Sequence, residues 1–209
     1  MIRVLLADDH ALVRMGFRML LFDAQVEVVA EVDTGEQACI EYARVQPDVV
    51  VMDLSMPGIG GLEAMRRLLA QDPKARVLVL SAHEDTVHPR RALRAGALGY
   101  LAKRSAPDAL IAAVTAVARG QRYVDAGTAQ ALALAQFQGD ASPADTLSER
   151  EFSVFLQLAR GQSVAQIAET LNLSPSTVGT HLYHVKQKLG ANNQSELTLV
   201  ALRWGLIQA

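Results

Sequence analysis

Apolar positions follow two rhythms along this chain. Over the first 120 residues, short, mainly apolar runs alternate with longer amphipathic stretches. The runs at residues 2–7, 26–31, 49–52, 76–80 and 99–101 are rich in Val, Ile and Leu. Such runs read as buried strands. Residues 11–22, 36–44, 62–71, a stretch ending near Ala95, and 107–119 carry the spacing of helices. Thr34-Gly35 opens the second helix, Pro47-Asp48 closes it, and Pro57-Gly58 with Gly60-Gly61 makes a loop before the third. Pro89 predicts an irregular or late first turn in the fourth helix, Gly96 is its expected C-cap, and Pro107 suits the first turn of the fifth. Five strand–helix repeats predict an α/β domain over residues 1–120, with a doubly wound, five-stranded parallel sheet and right-handed crossovers.

From 121 to 146 this rhythm fades. Residues 126–137 are alanine-rich enough for a helix, but 138–145 (QGDASPAD) are small, polar and interrupted by proline. The segment reads as a linker containing a helix. From Leu147 to residue 209 the pattern is wholly helical. Ser148 and Glu151 have the spacing of a capping box, and Leu147 with Phe152 that of a hydrophobic staple. A helix to about Arg160 ends at Gly161, and a short one follows over 164–171. A third begins with Ser174 as N-cap and Pro175 as first residue and runs to Leu189 before Gly190. The last spans about 194–204. A small all-α domain is expected.

The chemistry lies where the apolar runs end. Asp8 and Asp9, Asp53, Ser81 and Lys103 each follow an expected strand. In an open α/β sheet, ligands bind beyond the carboxyl ends of the strands, so these groups should converge. Three carboxylates, a hydroxyl and an ammonium outline a metal-assisted phosphoryl-transfer site. Mg²⁺ takes hard oxygen ligands in octahedral geometry. Asp9 and Asp53 suit direct ligation, Asp8 suits a metal-bound water, and the Ser55 carbonyl can complete the set. Lys103 and the Ser81 hydroxyl suit phosphoryl oxygens. His10 and His83 read as loop histidines facing solvent, although His83 lies where it would touch the path of an attacking water.

Composition narrows the class. The 209 residues, half of them apolar, suffice for two small domains. A net charge of −2 excludes bulk electrostatic attraction to nucleic acid but not a local basic face. The single cysteine, Cys39, excludes an internal disulfide and fits a reduced, cytoplasmic setting. The start MIRVLLADD lacks the form of a secretory signal, and no apolar stretch approaches the ~20 residues of a membrane span.

On the motifs LLADDH (5–10), VVVMDLSMPGIGG (49–61), VLVLSA (77–82) and GYLAK (99–103), the first 120 residues resemble a response-regulator receiver domain. That resemblance implies a flavodoxin-like, CheY-like fold and Asp53 as phosphoacceptor, supplied by a phosphohistidine on a sensor histidine kinase or phosphotransfer protein. It also implies Ser81 and Tyr100 as a switch pair whose ring turns inward when the hydroxyl turns to the phosphate. A phosphatase of the haloacid-dehalogenase type would need a second aspartate two residues beyond Asp53, and Ser55 stands there. No enzymatic turnover is expected.

The helices at 164–171 and 174–189 have the form of a helix-turn-helix. Val178, Leu182, Val185 and Leu189 make one apolar stripe, and Gly179, Thr180, Tyr183, Lys186 and Gln187 face the other way. Ser176, Thr177, His184, Lys186 and Lys188 are placed for DNA phosphates, and Thr180 and Tyr183 for the groove. LSERE (147–151), IAETLNLSPSTVGTHLYHVKQKLG (167–190) and SELTLVALRWG (195–205) resemble the LuxR-type effector domain. The pairing resembles the NarL/FixJ class of response regulators, with details similar to the GacA/UvrY/SirA group. It implies a transcription regulator that binds a two-fold DNA site as a homodimer when phosphorylated. Gly179 and Tyr183 depart from positions where the class is commonly basic, which leaves backbone approach or a tyrosine-to-phosphate bond at those sites. Residues 147–209 hold five Lys/Arg against four Asp/Glu, so monomer binding should be weak. Leu197, Val200, Ala201 and Trp204 form the candidate dimer surface, with plain core packing an equal reading for half of them. The alternative is a receiver that signals through protein contacts, with the helical domain as a docking module.

Overall fold

The computed structural model describes residues 1–82, 86–105, 107–136 and 143–207. The chain divides into two compact units, residues 1–137 and 138–209.

The first unit is built on six parallel strands: β1 (Arg3–Ala7), β2 (Glu27–Val32), β3 (Val49–Asp53), β4 (Val77–Ser81), β5 (Gly99–Ala102) and β6 (Tyr123–Val124). Their order is β2-β1-β3-β4-β5-β6. The connecting helices are α1 (Ala11–Asp23), α2 (Gly35–Val45), α3 (Gly61–Gln71), α4 (Val87–Arg94) and α5 (Pro107–Ala118). Strand residues alternate between two cores, as the pleat requires. Leu5, Val50, Met52, Val79 and Tyr100 pack toward α2, α3 and α4. Val4, Leu6, Val51, Leu80 and Leu101 pack toward α1 and α5. The sheet is therefore doubly wound, and its strand order reverses between the adjacent β1 and β3.

Two expectations change. The sheet has six strands rather than five: β6 pairs in parallel with β5, Gly99 opposite Tyr123 and Tyr100 opposite Val124. Two residues are too few to show a period, and the strand arises because the chain, turning at Gly120 (φ +74°), falls back along β5. Residues 121–136 were expected to belong to a linker, yet β6 and the following α6 (Ala126–Gln136) lie within the first unit, where α6 packs on α4. The remainder of that expected linker, at 137–142, falls outside the described residues.

The second unit holds α7 (Pro143–Thr146), α8 (Glu149–Ala159), α9 (Val164–Thr170), α10 (Pro175–Leu189) and α11 (Gln194–Arg203). The one-turn α7 was not anticipated, and it stands where a linker was expected. Elsewhere the capping signals specify the ends. Ser148 and Glu151 form the capping box of α8, Ser163 and Gln166 that of α9, and Ser174 caps α10 ahead of Pro175. Gly190 ends α10 in the left-handed conformation (φ +64°). Asn172 (φ +56°) makes the tight turn between α9 and α10, where the Leu173 N–H donates to the Ala168 carbonyl at 2.8 Å. Helix α8 packs against α9, α10 and α11.

Candidate functional site

Sheet register delivers the polar groups. Asp8 directly follows β1, and its N–H donates to the Val32 carbonyl at 3.1 Å. Asp53 ends β3 opposite Leu80, so Ser81 stands one residue further out on β4. Ser81 pairs with Ala102, and the Lys103 N–H donates to the Ser81 carbonyl at 2.8 Å. The ends of β1, β3, β4 and β5 thus form one rim.

On that rim Lys103 Nζ lies 2.6 Å from Asp8 Oδ2 and 2.8 Å from Asp53 Oδ2. Asp8, Asp53 and Ser81 are buried, whereas Asp9 is exposed. Ligand atoms of Asp8, Asp9, His10 and Asp53 all lie within 4.8 Å of one another. The three carboxylates are a hard-oxygen set that could hold a metal ion. Ser55 is exposed, and its N–H donates to Asp53 Oδ1 at 3.2 Å. Burial pushes the Asp53 carboxyl above its ordinary range, although the Lys103 hydrogen bond works against this. For Lys103 burial opposes the charge, but hydrogen bonds to Asp53 and Asp8 outweigh it and hold the ammonium above the usual lysine range. The arrangement is an ionised lysine bracing two sunken carboxylates.

Tyr100 was expected to turn inward on activation. Its ring is already inside, 1% exposed, in the core shared by Met52, Met65 and Ala92. His10 does more than face solvent: Nδ1 lies 2.7 Å from Asp9 Oδ1 and 3.3 Å from Asp8 Oδ1. His83 falls outside the described residues.

Sequence reasoning missed three supports. The Arg14 guanidinium donates to the Asp8 carbonyl, so α1 braces the acid loop. Glu36 Oε1 accepts the Ile59 N–H at 3.0 Å and steadies the loop after β3. Gly61 lies so near β3 that a Cβ there would stand 1.8 Å from the Asp53 carbonyl oxygen. Only the paired glycines hinted at this, and they read equally well as loop.

In the second unit the α10 stripe is buried at Val178 and Val185, while Ser176, Thr177, Gly179, Thr180, Tyr183 and Gln187 are exposed. Lys186 is half-buried. Two expected phosphate contacts, Lys188 and His184, are exposed but engaged within the unit: Lys188 Nζ lies 2.7 Å from Glu151 Oε2, and His184 Nδ1 lies 3.6 Å from Glu151 Oε1. The Thr180 hydroxyl donates to the Ser176 carbonyl at 3.2 Å. The expected dimer surface divides. Leu197 and Ala201 are fully buried, because α11 turns that face to α8, while Val200 and Trp204 are half-exposed. Leu197 and Ala201 are therefore core residues rather than surface.

A doubly wound sheet with this acid rim, followed along the chain by a helical unit with a capped helix-turn-helix, defines a class: a receiver joined to a DNA-binding module. Residues 4–115 match the response regulator receiver domain, and residues 145–201 match the bacterial regulatory proteins of the luxR family. The chain belongs to the response regulators with a LuxR-type DNA-binding domain. It is 43% identical to response regulator UvrY of Escherichia coli strain K12, covering 100% of this chain and 97% of that one. It is 44% identical to response regulator GacA of Pseudomonas aeruginosa strain PAO1, covering 100% and 99%. RcsB of Salmonella enterica serovar Typhimurium, solved on promoter P1flhDC with the phosphomimetic BeF3-, matches with a TM-score of 0.68 at 26% identity over 95% of this chain and 97% of that one. Among the described residues no helix is long and apolar enough to cross a membrane.

Proposed function

We propose that this transcriptional response regulator takes a phosphoryl group on Asp53 from a phosphohistidine of a sensor kinase or phosphotransfer protein. The Asp53 carboxylate attacks phosphorus, a P–O bond forms, the P–N bond breaks, and the imidazole leaves and takes up a proton. The observation that carries this is the Lys103 ammonium held between Asp8 and Asp53. It supplies a fixed positive charge where negative charge gathers. Asp8, Asp9, Asp53 and the Ser55 carbonyl would hold Mg²⁺, which when bound neutralises further charge on the phosphoryl oxygens. Ser81 donates to one of those oxygens, and Tyr100 reports it. With its ring already packed, phosphorylation locks the inward position rather than creating it. An exposed apolar stripe on α1 (Leu12, Met15, Met19, Phe22) beside the acid rim suits docking of a helical phosphodonor.

The second unit enters the DNA major groove with α10, using Ser176, Thr177, Thr180, Tyr183 and Lys186. Lys188 and His184 reach phosphates only by releasing Glu151. Phosphorylation shifts the population toward a homodimer on a two-fold site, with Val200 and Trp204 at its surface, in the cytoplasm.

Two measurements test this. Incubated with a labelled small-molecule phosphodonor and Mg²⁺, the protein should take up label and Asp53→Ala should not; label on the variant refutes the site. Binding to duplex DNA should weaken with salt, and a flat response would refute phosphate contacts.

A further inference from the structure

Nearly every described glycine has a local reason. Gly58, Gly60, Gly96, Gly120, Gly161, Gly190 and Gly205 hold positive φ. At Gly35, Gly61 and Gly99 a Cβ would crowd a neighbour, and at Gly127 it would touch Asp125. Only Gly16 and Gly179 have neither reason: each lies inside a helix, and a Cβ there would meet nothing within 4 Å. Glycine at such a position weakens a helix relative to alanine. Among the described residues no contact offsets that cost at Gly179.

Gly179 sits on the exposed face of α10 between Ser176, one turn before, and Tyr183, one turn after. Helical side chains lean toward the N-terminus, so Tyr183 would lie over this spot. Instead its ring meets His184 edge-on, with centroids 5.8 Å apart, and the glycine stays uncovered. A notch of bare backbone results. In a helix interior the backbone N–H and carbonyl serve the helix itself, so this notch can read DNA only by shape.

We propose that Gly179 is a specificity-determining residue whose bare backbone lets the 5-methyl group of a thymine in the major groove come closer to the helix than a side chain at this position would allow. This rests on α10 entering the major groove, as proposed above. The adjacent Thr180 hydroxyl, already donating to the Ser176 carbonyl, can offer a base edge only its acceptor lone pairs.

The test uses the full-length protein and random duplexes about two helical turns long, from which it selects its preferred motif. Gly179→Ala and the native protein are then titrated on that motif, and on copies in which each thymine in turn becomes deoxyuridine. Gly179→Ala should bind about tenfold more weakly, and at one thymine per half-site removing the methyl should weaken the native protein yet recover binding by the variant. A higher unfolding temperature for Gly179→Ala would show that the loss is not misfolding. Equal binding by both proteins overturns the proposal, and so does a loss additive with every deoxyuridine swap. If the native protein enriches no motif, the DNA reading falls first and this inference with it.

Discussion

Replacing Glu151 with alanine should destabilise the helical unit by about 2 kcal/mol. The carboxylate has two jobs. It accepts the Ser148 N–H at 2.7 Å, closing the capping box of α8, and it accepts the Lys188 ammonium at 2.7 Å from α10. Losing a cap costs ~1 kcal/mol. The ion pair contributes at most about 1 kcal/mol more, because the Lys188 side chain is 41% exposed and solvent screens it. Glu151→Gln keeps an acceptor for Ser148 and gives up the charge, so it should cost about 1 kcal/mol. Trp204 is the sole tryptophan and lies in this unit, so its fluorescence reports the unit's unfolding within the whole protein. With a urea dependence of about 1 kcal/mol/M, the midpoints should fall by about 2 M and 1 M.

The same contacts predict a pH dependence. Burial alone would raise the Glu151 carboxyl, but the Lys188 hydrogen bond and those with Ser148 lower it from 4.5 to about 2. A pKa depressed in the folded state stabilises above the unfolded value and ceases to do so as pH falls through the folded one. The stability gap between native protein and Glu151→Gln should be complete at neutral pH, shrink below 4.5 and close near 2. Unchanged midpoints, or a gap that stays constant on acidification, would refute the clamp between α8 and α10.

Lys103→Gln leaves Asp8 and Asp53 facing each other without their cation, at a cost of about 3 kcal/mol. Added Mg²⁺ should recover more stability in that variant than in the native protein, and equal thermal shifts would contradict the shared site. Gly61→Ala drives a Cβ into the Asp53 carbonyl, so it should cost about 3 kcal/mol or more and abolish phosphoryl uptake. Gly16→Ala, on an open helix face, should instead add up to ~1 kcal/mol, and calorimetry on the pair checks both signs. Asp53→Asn removes a carboxylate that burial destabilises, so it should raise the unfolding midpoint at neutral pH while ending phosphoryl uptake. Because the native pKa is raised, that advantage should shrink as pH falls and Asp53 takes up its proton.

What the sequence revealed and what it hid follow from the range of the interactions. Apolar runs ending in Asp8, Asp53, Ser81 and Lys103 were legible because a parallel sheet brings its carboxyl ends to one rim, whatever the helices do in detail. Caps were legible because Ser148 with Glu151, and Ser174 with Pro175, act within one turn. Strand β6 was not, since two residues carry no period and their pairing depends on where α5 releases the chain. The grip of Glu151 on Lys188 spans 37 residues and depends on how α8 crosses α10. On α11 the helical spacing was plain and core packing was open for half of the stripe, but which half α8 would take was not legible; it takes Leu197 and Ala201. Gly61 resembled an ordinary loop glycine because a close approach leaves no mark on composition.

Charge is handled oppositely in the two units, and this bears on where a signal can enter. In the receiver, two buried carboxylates depend on one lysine, so every change there acts on groups poorly screened by water. A phosphoryl group on Asp53 replaces the carboxylate's single charge with about −1.5 to −2, carried by three further oxygens at that point. The Lys103 ammonium cannot satisfy Asp8, Asp53 and the new oxygens in its old geometry, so the rim must rearrange around Ser81. The helical region has the reverse arrangement: residues 147–209 carry a net charge of only +1, with Lys188 engaged by Glu151. Few cations per copy then face DNA phosphates, and sequence-independent attraction is correspondingly small. A second copy on a two-fold site doubles those contacts without a new residue. Binding that is weak for one copy and adequate for two depends steeply on the monomer–dimer equilibrium. A modest shift of that equilibrium by Asp53 is therefore enough to decide whether DNA is occupied.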